Sequence, residues 1–377
     1  MVGAAACAGS EYRSSASDRA GRSQTAMSAV EAMLLRLASY YELQAQSAVL
    51  KQLFALVTRE SLQSFDSAPG HSFSAINGNG FPVQFSVSLG APTRSLRCLG
   101  EVAASGISMP ERLRLSTLRL REILSLLDLR PATGALNDAF AILFPKDPAA
   151  TLRWTGGIWM GFGGAHGGPI ALRLYVNQRW GNIADRVTRA GQVLSMLGRQ
   201  HSLSAWAALA PRVSAGAIPY GVAFDVARGG IGAFKMYFAC PEFDRSYVND
   251  LVDLFSNRLG REQTMRWLSL CGLYQGNLRA GALLPAIEFK NDTDQSIELK
   301  LDVSCNHLET SDVAMDQRIR IYLQELSIPA DEYDTVLVAL SSLPLSSERV
   351  DRIQYCGVGL KNEGVSRFNI YLCPGGG

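Results

Sequence analysis

From residue 27 onward the spacing of apolar residues switches repeatedly between two periods. Stretches with apolar residues three and four apart predict amphipathic helices. Shorter stretches with apolar residues at every second position predict strands. The N-terminal helices run from about Met27 to Leu62, through VEAMLLRLASYYELQAQSAVLKQLFALV. Asn77-Gly78-Asn79-Gly80 then leads into a strand pair, FPVQFSVSLG (81–90) with TRSLRCLGEV (93–102), turned near Pro92. Helices are predicted at 108–129 and 133–144. LRWTGGIWMGF (152–162) pairs with PIALRLYVN (169–177) across a glycine-rich turn holding His166. Helices at 178–197 and 201–209 precede PYGVAFDVA (219–227) with GAFKMYFAC (232–240). Helices at 242–258 and 261–275 precede PAIEFK (285–290) with SIELKLDVS (296–304), turned through Asn291–Asp294. Helices at 311–327 and 330–342 precede DRIQYCGVGL (351–360) with SRFNIYLCP (366–374), turned through Lys361–Gly364. The turns are built on Gly, Asn and Asp, as hairpin geometry requires.

The unit helix–helix–strand–strand therefore recurs five times at roughly 60 to 75 residues. Local hairpins make an antiparallel sheet, and ten such strands remove both edges by closing. The expected fold is α+β: a ten-stranded antiparallel β-barrel surrounded by helices. The second strands alternate in one sense. Leu172, Leu174 and Val176, Phe234, Met236 and Phe238, Leu299, Leu301 and Val303, and Phe368, Ile370 and Leu372 take one face. Arg173, Tyr175, Lys235, Tyr237, Lys300, Asp302, Asn369 and Tyr371 take the other, with Arg97 equivalent in the first hairpin. The apolar face packs under helices, so the polar face lines the lumen. Small barrels ordinarily fill their interior with apolar side chains, so a lumen this rich in cations implies a ligand cavity.

A net charge of +2 gives no bulk field toward nucleic acid or membrane, so positive charge matters only where it is placed. The 47% hydrophobic content supports a large core, and no apolar run is long enough to span a bilayer. Seven scattered cysteines without a CxxC pair fit a reducing compartment and argue against a structural zinc site. Residues 1–25 read as a disordered tail without a signal peptide, and 26–374 as a single barrel domain in the cytoplasm. The four histidines (His71, His166, His201, His307) show no metal spacing.

Short motifs in order along the repeat give the chain a resemblance. Tyr40-Tyr41…Gln44 and Gly80-Phe81-Pro82-Val83-Gln84-Phe85-Ser86 resemble an opening helix and first strand. Arg97…Glu101, Arg173-x-Tyr175, Lys235-x-Tyr237, and Asn369-x-Tyr371 with Cys373-Pro374 resemble later strands. Together they resemble the aromatic prenyltransferases of the ABBA fold, most of all the dimethylallyltryptophan synthases and their bacterial indole-prenylating relatives. The resemblance covers the chain from about Ala38. It implies transfer of a dimethylallyl or geranyl group from its diphosphate to an indole of tryptophan or a tryptophan-derived compound, such as an indolactam or a cyclic peptide. A phenol or tyrosine acceptor, and a non-catalytic barrel binding a small anionic metabolite, are the other readings. The implied enzyme needs no resident cofactor. It meets a prenyl diphosphate and a small aromatic acceptor, neither nucleic acid nor membrane, as a monomer or homodimer. The chain departs from the pattern at four places. Gln84 stands where the family usually has the glutamate that binds the indole N–H. Met160 lies near the place of a proton-transferring lysine. Ala233 replaces an arginine. Lys300-x-Asp302 stands where glutamine and tyrosine are common.

The chemistry agrees with these residue types. A diphosphate leaving group is stabilised by a divalent metal or by several cations. Arg97, Arg173, Lys235 and Lys300 sit on four different hairpins, and no aspartate-rich run exists to hold magnesium, so magnesium is not expected to be required. The competing use of these cations is an internal network with Glu101, Glu288, Glu298 and Asp302. An allyl cation must be screened from water by aromatic faces, which Tyr175, Tyr237 and Tyr371 supply, and Trp159 would stack on the acceptor or lie in the core. Substrate contacts are therefore expected from Arg97, Trp159, Arg173, Tyr175, Lys235, Tyr237, Lys300, Asn369 and Tyr371. Gln84, Asp302 and Glu298 are the expected catalytic residues, with Asp225 and Glu288 as further candidates for the base.

Overall fold

The computed structural model describes residues 26–67, 74–91, 94–102, 107–152, 154, 156–274, 280–290, 296–340 and 345–374. The tail expected at 1–25, His71, Pro92 and the turn at 291–294 lie outside the described residues.

Strands β1 (Val83–Leu89), β2 (Ser95–Glu101), β3 (Ile158–Ala165), β4 (Ile170–Asn177), β5 (Ile218–Ala227), β6 (Gly230–Ala239), β7 (Leu283–Phe289), β8 (Ile297–Ser304), β9 (Ile353–Lys361) and β10 (Gly364–Leu372) form the wall. They close into a barrel in the cyclic order β1, β10, β9, β8, β7, β6, β5, β4, β3, β2. Each hairpin pairs locally and docks on the next. The ring shuts where Ser86 and Ser88 of β1 lie opposite Tyr371 and Asn369 of β10. All neighbouring pairs are antiparallel.

Helices occupy the connections: α1 (Ala26–Tyr40), α2 (Ser47–Ser67), α3 (Met109–Leu126), α4 (Thr133–Leu143), α5 (Ile183–Met196), α6 (Gln200–Ser214), α7 (Arg245–Asp253), α8 (Arg258–Leu270), α9 (Asp312–Glu325) and α10 (Asp331–Leu340). Their starts follow side-chain caps. Ser108 accepts from the Glu111 amide, Asn182 and Asp185 form a reciprocal box, and Asp244, Asn257 and Ser311 cap α7, α8 and α9. The Asn182 box explains why α5 begins five residues after the expected 178. The third strand likewise begins at Ile158, later than the expected Leu152, because Asp147 caps a 3-10 turn over Pro148–Thr151.

The outward strand faces are fully buried under this helical ring. Leu172, Leu174, Val176, Phe234, Met236, Phe238, Leu299, Leu301, Val303, Phe368 and Ile370 have no exposure. Each such side chain contributes about 1.5–3 kcal/mol on burial, which fixes the helices onto the barrel and leaves the lumen free to be polar. At one corner Trp267 of α8 packs edge-on to Phe368 of β10 (4.8 Å between ring centres) and tilted against Tyr322 of α9 (5.1 Å).

Candidate active site

Antiparallel register sets which lumen side chains meet. Arg173 lies opposite Asp225, Lys235 opposite Glu288, Ser86 opposite both Arg97 and Tyr371, and Trp159 opposite Tyr175. The result is two compartments stacked along the barrel axis. One is a small polar pocket toward the hairpin turns. The other is a larger, mainly apolar cavity toward the helix-connected mouth.

The small pocket, about 100 Å³, is lined by Arg97, Arg173, Lys235, Lys290, Lys300 and Arg367, with Ser86, Ser88, Ser95 and Asn369. Glu288 stands among the cations. It contacts Lys235 Nζ at 2.8 Å, Arg173 Nη2 at 3.1 Å, Arg367 Nη2 at 3.2 Å and Lys290 Nζ at 3.6 Å. Arg173 also grips Asp225, Arg367 also reaches Glu298 at 2.5 Å, and Lys300 bonds Asp302. Six cations thus face four carboxylates among the described residues, an excess of two positive charges when all are ionised. The lumen cations are thus paired with carboxylates, and the pairing does not use all of their charge. Glycines give the long side chains room. A Cβ on Gly161 would meet Arg97 Cδ at 2.8 Å, and one on Gly359 would meet Arg367 Cγ at 2.9 Å.

Burial alone would raise the Glu288 carboxyl, but Lys235, Arg173, Lys290 and Arg367 hold it well below the usual carboxylate range. That removes Glu288 from the candidate bases, since a carboxylate so stabilised resists protonation. Lys235 goes the other way. Burial pushes it down to about 7, against the pull of Glu288, with Arg173, Arg367 and Lys300 adding to the fall. A polyanion bound beside it would restore the charge, so above about pH 7 such binding would take up a proton. Affinity for a prenyl thiolodiphosphate should therefore weaken as pH rises from about 7.5 to about 9, by up to about tenfold per unit. Lys235→Arg should flatten that dependence. A titration equally flat in the wild type would contradict the assignment.

The larger cavity has a volume of about 620 Å³. Gln84, Leu99, Trp159, Ile218 and Leu284 are in its wall, and among the described residues Asp302 is the carboxylate that lines it. Tyr175, Tyr237, Tyr371 and Lys300 line both compartments and form the partition between them. Tyr175 and Tyr237 pack ring against ring at 6.0 Å, Tyr220 and Tyr237 at 6.1 Å, and Tyr355 and Tyr371 at 6.0 Å. Burial pushes the Tyr355 and Tyr371 phenols up to about 12, so both stay protonated and can donate. At the mouth the exposed Arg179 guanidinium lies 5.4 Å over the Tyr220 ring. Beside it, Arg186 is spent on backbone carbonyls, including that of Pro219 at 2.9 Å.

The expected substrate residues converge. Arg97, Arg173, Lys235 and Asn369 fall in the polar pocket, the three tyrosines and Lys300 in the partition, and Trp159 in the cavity. The Trp159 indole N–H donates to Glu101 at 3.0 Å, which also accepts from Ser74 at 2.9 Å. Burial pushes that carboxyl up to about 7, against the bonds from Ser74 and Trp159 and the charge of Arg112. Gln84 lines the cavity, but its amide N–H group is committed to the Ile76 carbonyl and Asn77 Oδ1. Glu298 is separated from the cavity. It lies one lumen position deeper on β8 than Lys300, where Arg367 binds it. Asp225 is likewise held by Arg173.

Four contributors were absent from the sequence expectation. Lys290 and Arg367 continue the alternation of β7 and β10 by one step and were there to be read. Tyr355 shares the parity of Gly357 and Gly359. Tyr220 has the parity of outward-facing Val222 and Phe224. It reaches the cavity because the pairing of β5 with β6 shifts register between Pro219 and Gly221, which no period-two reading finds.

No family model and no curated protein matches the sequence. Solved structures do. The 5-dimethylallyltryptophan synthase from Streptomyces coelicolor superposes with a TM-score of 0.78 at 17% identity, covering 94% of this chain and 98% of that one. The 6-dimethylallyltryptophan synthase from Micromonospora olivasterospora, solved with DMASPP and Trp, gives 0.75 at 16% identity over 93% and 98%. The prenyltransferase PriB gives 0.75 at 18% identity over 93% and 96%. The closed ten-stranded barrel with its ring of helices is the ABBA fold, shared along nearly its whole length with these indole prenyltransferases.

Proposed function

We propose that this protein is an aromatic prenyltransferase that moves a dimethylallyl or geranyl group from its diphosphate to the indole ring of tryptophan or of a tryptophan-derived compound. The observation that carries the reading is the partition. Tyr175, Tyr237, Tyr371 and Lys300 separate a pocket with surplus positive charge from an apolar cavity large enough for an aromatic molecule. An allylic ester lying across it has its diphosphate among Arg97, Arg173, Lys235, Lys290, Lys300 and Arg367. Its reactive carbon then lies against tyrosine faces and its tail toward the cavity. The cations draw off the charge that develops on the leaving oxygen. The tyrosine faces stabilise the allyl cation without forming a bond to it, at roughly 1–2 kcal/mol per desolvated ring. Two structural neighbours solved with dimethylallyl diphosphate analogues and tryptophan support this choice of substrates.

The test is incubation with dimethylallyl and geranyl diphosphate against a panel of indoles and phenols, read by mass spectrometry. A prenylated indole supports the proposal. Prenylation of phenols alone would move the acceptor class. Binding of a thiolodiphosphate with no product from any acceptor would make the barrel a binder.

Magnesium should be dispensable. Among the described residues no cluster of three or more His, Cys, Asp or Glu stands ready to hold a metal, and the cations already face the leaving group. Turnover should survive excess EDTA with little change. Complete loss, restored by magnesium, would assign the leaving-group chemistry to the ion.

A further inference from the structure

The two compartments share one cation. Lys300 lines both, and Asp302, one lumen position nearer the mouth on β8, lines the acceptor cavity. Lys300 Nζ donates to Asp302 Oδ2 and to the Tyr371 hydroxyl. Asp302 Oδ1 is buried and has no hydrogen-bond partner among the described residues. It sits over Gly357, where any Cβ would collide with it. A buried carboxylate oxygen without a donor is destabilising, so its retention calls for a use.

We propose that Asp302 and Lys300 form a relay that carries the proton lost by the acceptor ring to the departing diphosphate. This rests on the prenyltransferase reading and adds the route of the proton. The prenyl C–O bond breaks, and its electron pair leaves with the diphosphate, which then bears one more negative charge than it did as an ester. A π pair of the acceptor ring forms the new C–C bond and leaves the ring cationic. The C–H pair returns to the ring, and the proton passes to the Asp302 carboxylate. Lys300 gives a proton to a diphosphate oxygen and is refilled from Asp302. Net, one C–O and one C–H bond break, one C–C and one O–H bond form, and both residues end as they began.

The pairing makes the steps follow one another. Burial would strip Lys300 of its proton, and the Asp302 carboxylate with Tyr371 outweighs that, holding the ammonium above its ordinary range. Once Asp302 is protonated, its share of that support is gone. Lys300 then becomes a proton donor at the moment the leaving group needs one. Tyr220, Tyr237, Tyr355 and Tyr371, the phenols that feel the charge of Asp302, are all raised by burial and do not compete for the proton.

The test uses whichever indole the acceptor panel yields, ring-deuterated, with dimethylallyl diphosphate in single turnover. Wild type should show no primary isotope effect. Asp302→Asn should slow transfer by about a hundredfold, show a clear primary isotope effect, and bind dimethylallyl thiolodiphosphate with affinity close to wild type. Formate should speed Asp302→Ala in proportion to its concentration. Lys300→Arg, which keeps the charge but is too weak an acid to give up a proton, should complete a first turnover and then slow. Turnover by Asp302→Asn near the wild-type rate, without an isotope effect, overturns the role of Asp302 as base. Loss of analogue binding in parallel with turnover, with no rescue by formate, makes Asp302 only a support for Lys300. A Lys300→Arg enzyme without a burst removes Lys300 from the route. Failure of every indole in the wild type tells instead against the prenyltransferase reading.

Discussion

Lys235→Ala or Arg173→Ala should each weaken binding of a prenyl thiolodiphosphate and cut turnover by at least about tenfold. Each removes a charge-assisted contact worth about 1.5–3 kcal/mol. The two variants should differ in a second respect. Lys235 touches one carboxylate, and Glu288 keeps Arg173, Lys290 and Arg367 when Lys235 is gone. Arg173 holds Glu288 and also pairs with the half-buried Asp225, so its loss takes a cation from Glu288 and leaves Asp225 without its ion-pair partner. Arg173→Ala should therefore also lower the unfolding midpoint clearly more than Lys235→Ala does. Calorimetric titration with the thiolodiphosphate, a turnover assay and a melting curve for each variant check all three statements. Wild-type affinity and turnover in both would remove the diphosphate from this pocket.

The second large effect concerns the fate of the allyl cation. Tyr175, Tyr237 and Tyr371 stand in the partition, with Lys300 Nζ 4.5 Å from the centre of the Tyr371 ring. Leucine at any of the three keeps bulk but loses the π-face and the hydroxyl. Phenylalanine keeps the face and loses only the hydroxyl. Tyr→Leu should lower transfer and raise the fraction of prenyl alcohol, because water reaches a cation no longer screened. Tyr→Phe should be milder, about 1 kcal/mol or less where one neutral hydrogen bond is lost. At Tyr371 the hydroxyl also meets Lys300, and at Tyr175 it accepts from Arg97 Nη1 at 3.4 Å, so phenylalanine at either should cost more than at Tyr237. The readout is the ratio of prenylated product to prenyl alcohol. An unchanged ratio for Leu and Phe at all three sites would make them ordinary strand residues.

The barrel was legible because its two periods are clean. Leu172, Leu174 and Val176 against Arg173 and Tyr175 can be satisfied only by a strand with one dry face and one wet face, and the closed barrel uses both. The convergence of Arg97, Arg173, Lys235 and Lys300 was legible for the same reason, since side-chain parity does not depend on which strands are neighbours. Depth was not legible. Parity puts Glu298 and Asp302 on the same face of β8. Only the stagger between strands shows that one pairs with Arg367 of the polar pocket while the other lines the larger cavity. Nor does parity survive a bulge, which is how Tyr220 escaped. Gln84 was expected to be catalytic from its position alone; its side chain lines the cavity, and the contacts of its amide N–H group with the loop at 76–77 could not be read from the strand pattern.

Closure between β1 and β10 has a consequence for the order in which this site comes into being. A ribosome releases Arg97 long before Tyr371, with more than half the chain still unmade. Until the hairpin of Ile353–Leu372 emerges, β1 has no partner on one side, and Ser86 and Ser88 face no Tyr371 or Asn369. Every earlier hairpin can form as soon as it is synthesised. The cations they carry, however, remain on an open sheet in contact with water, where their charges are screened and their pairing is weak. The ring of residues around the polar pocket is therefore complete only with the last strand. A ligand that binds within the lumen has no complete site to favour before that point. Afterwards the ligand favours the finished ring over every open form, by the logarithm of its concentration over its dissociation constant.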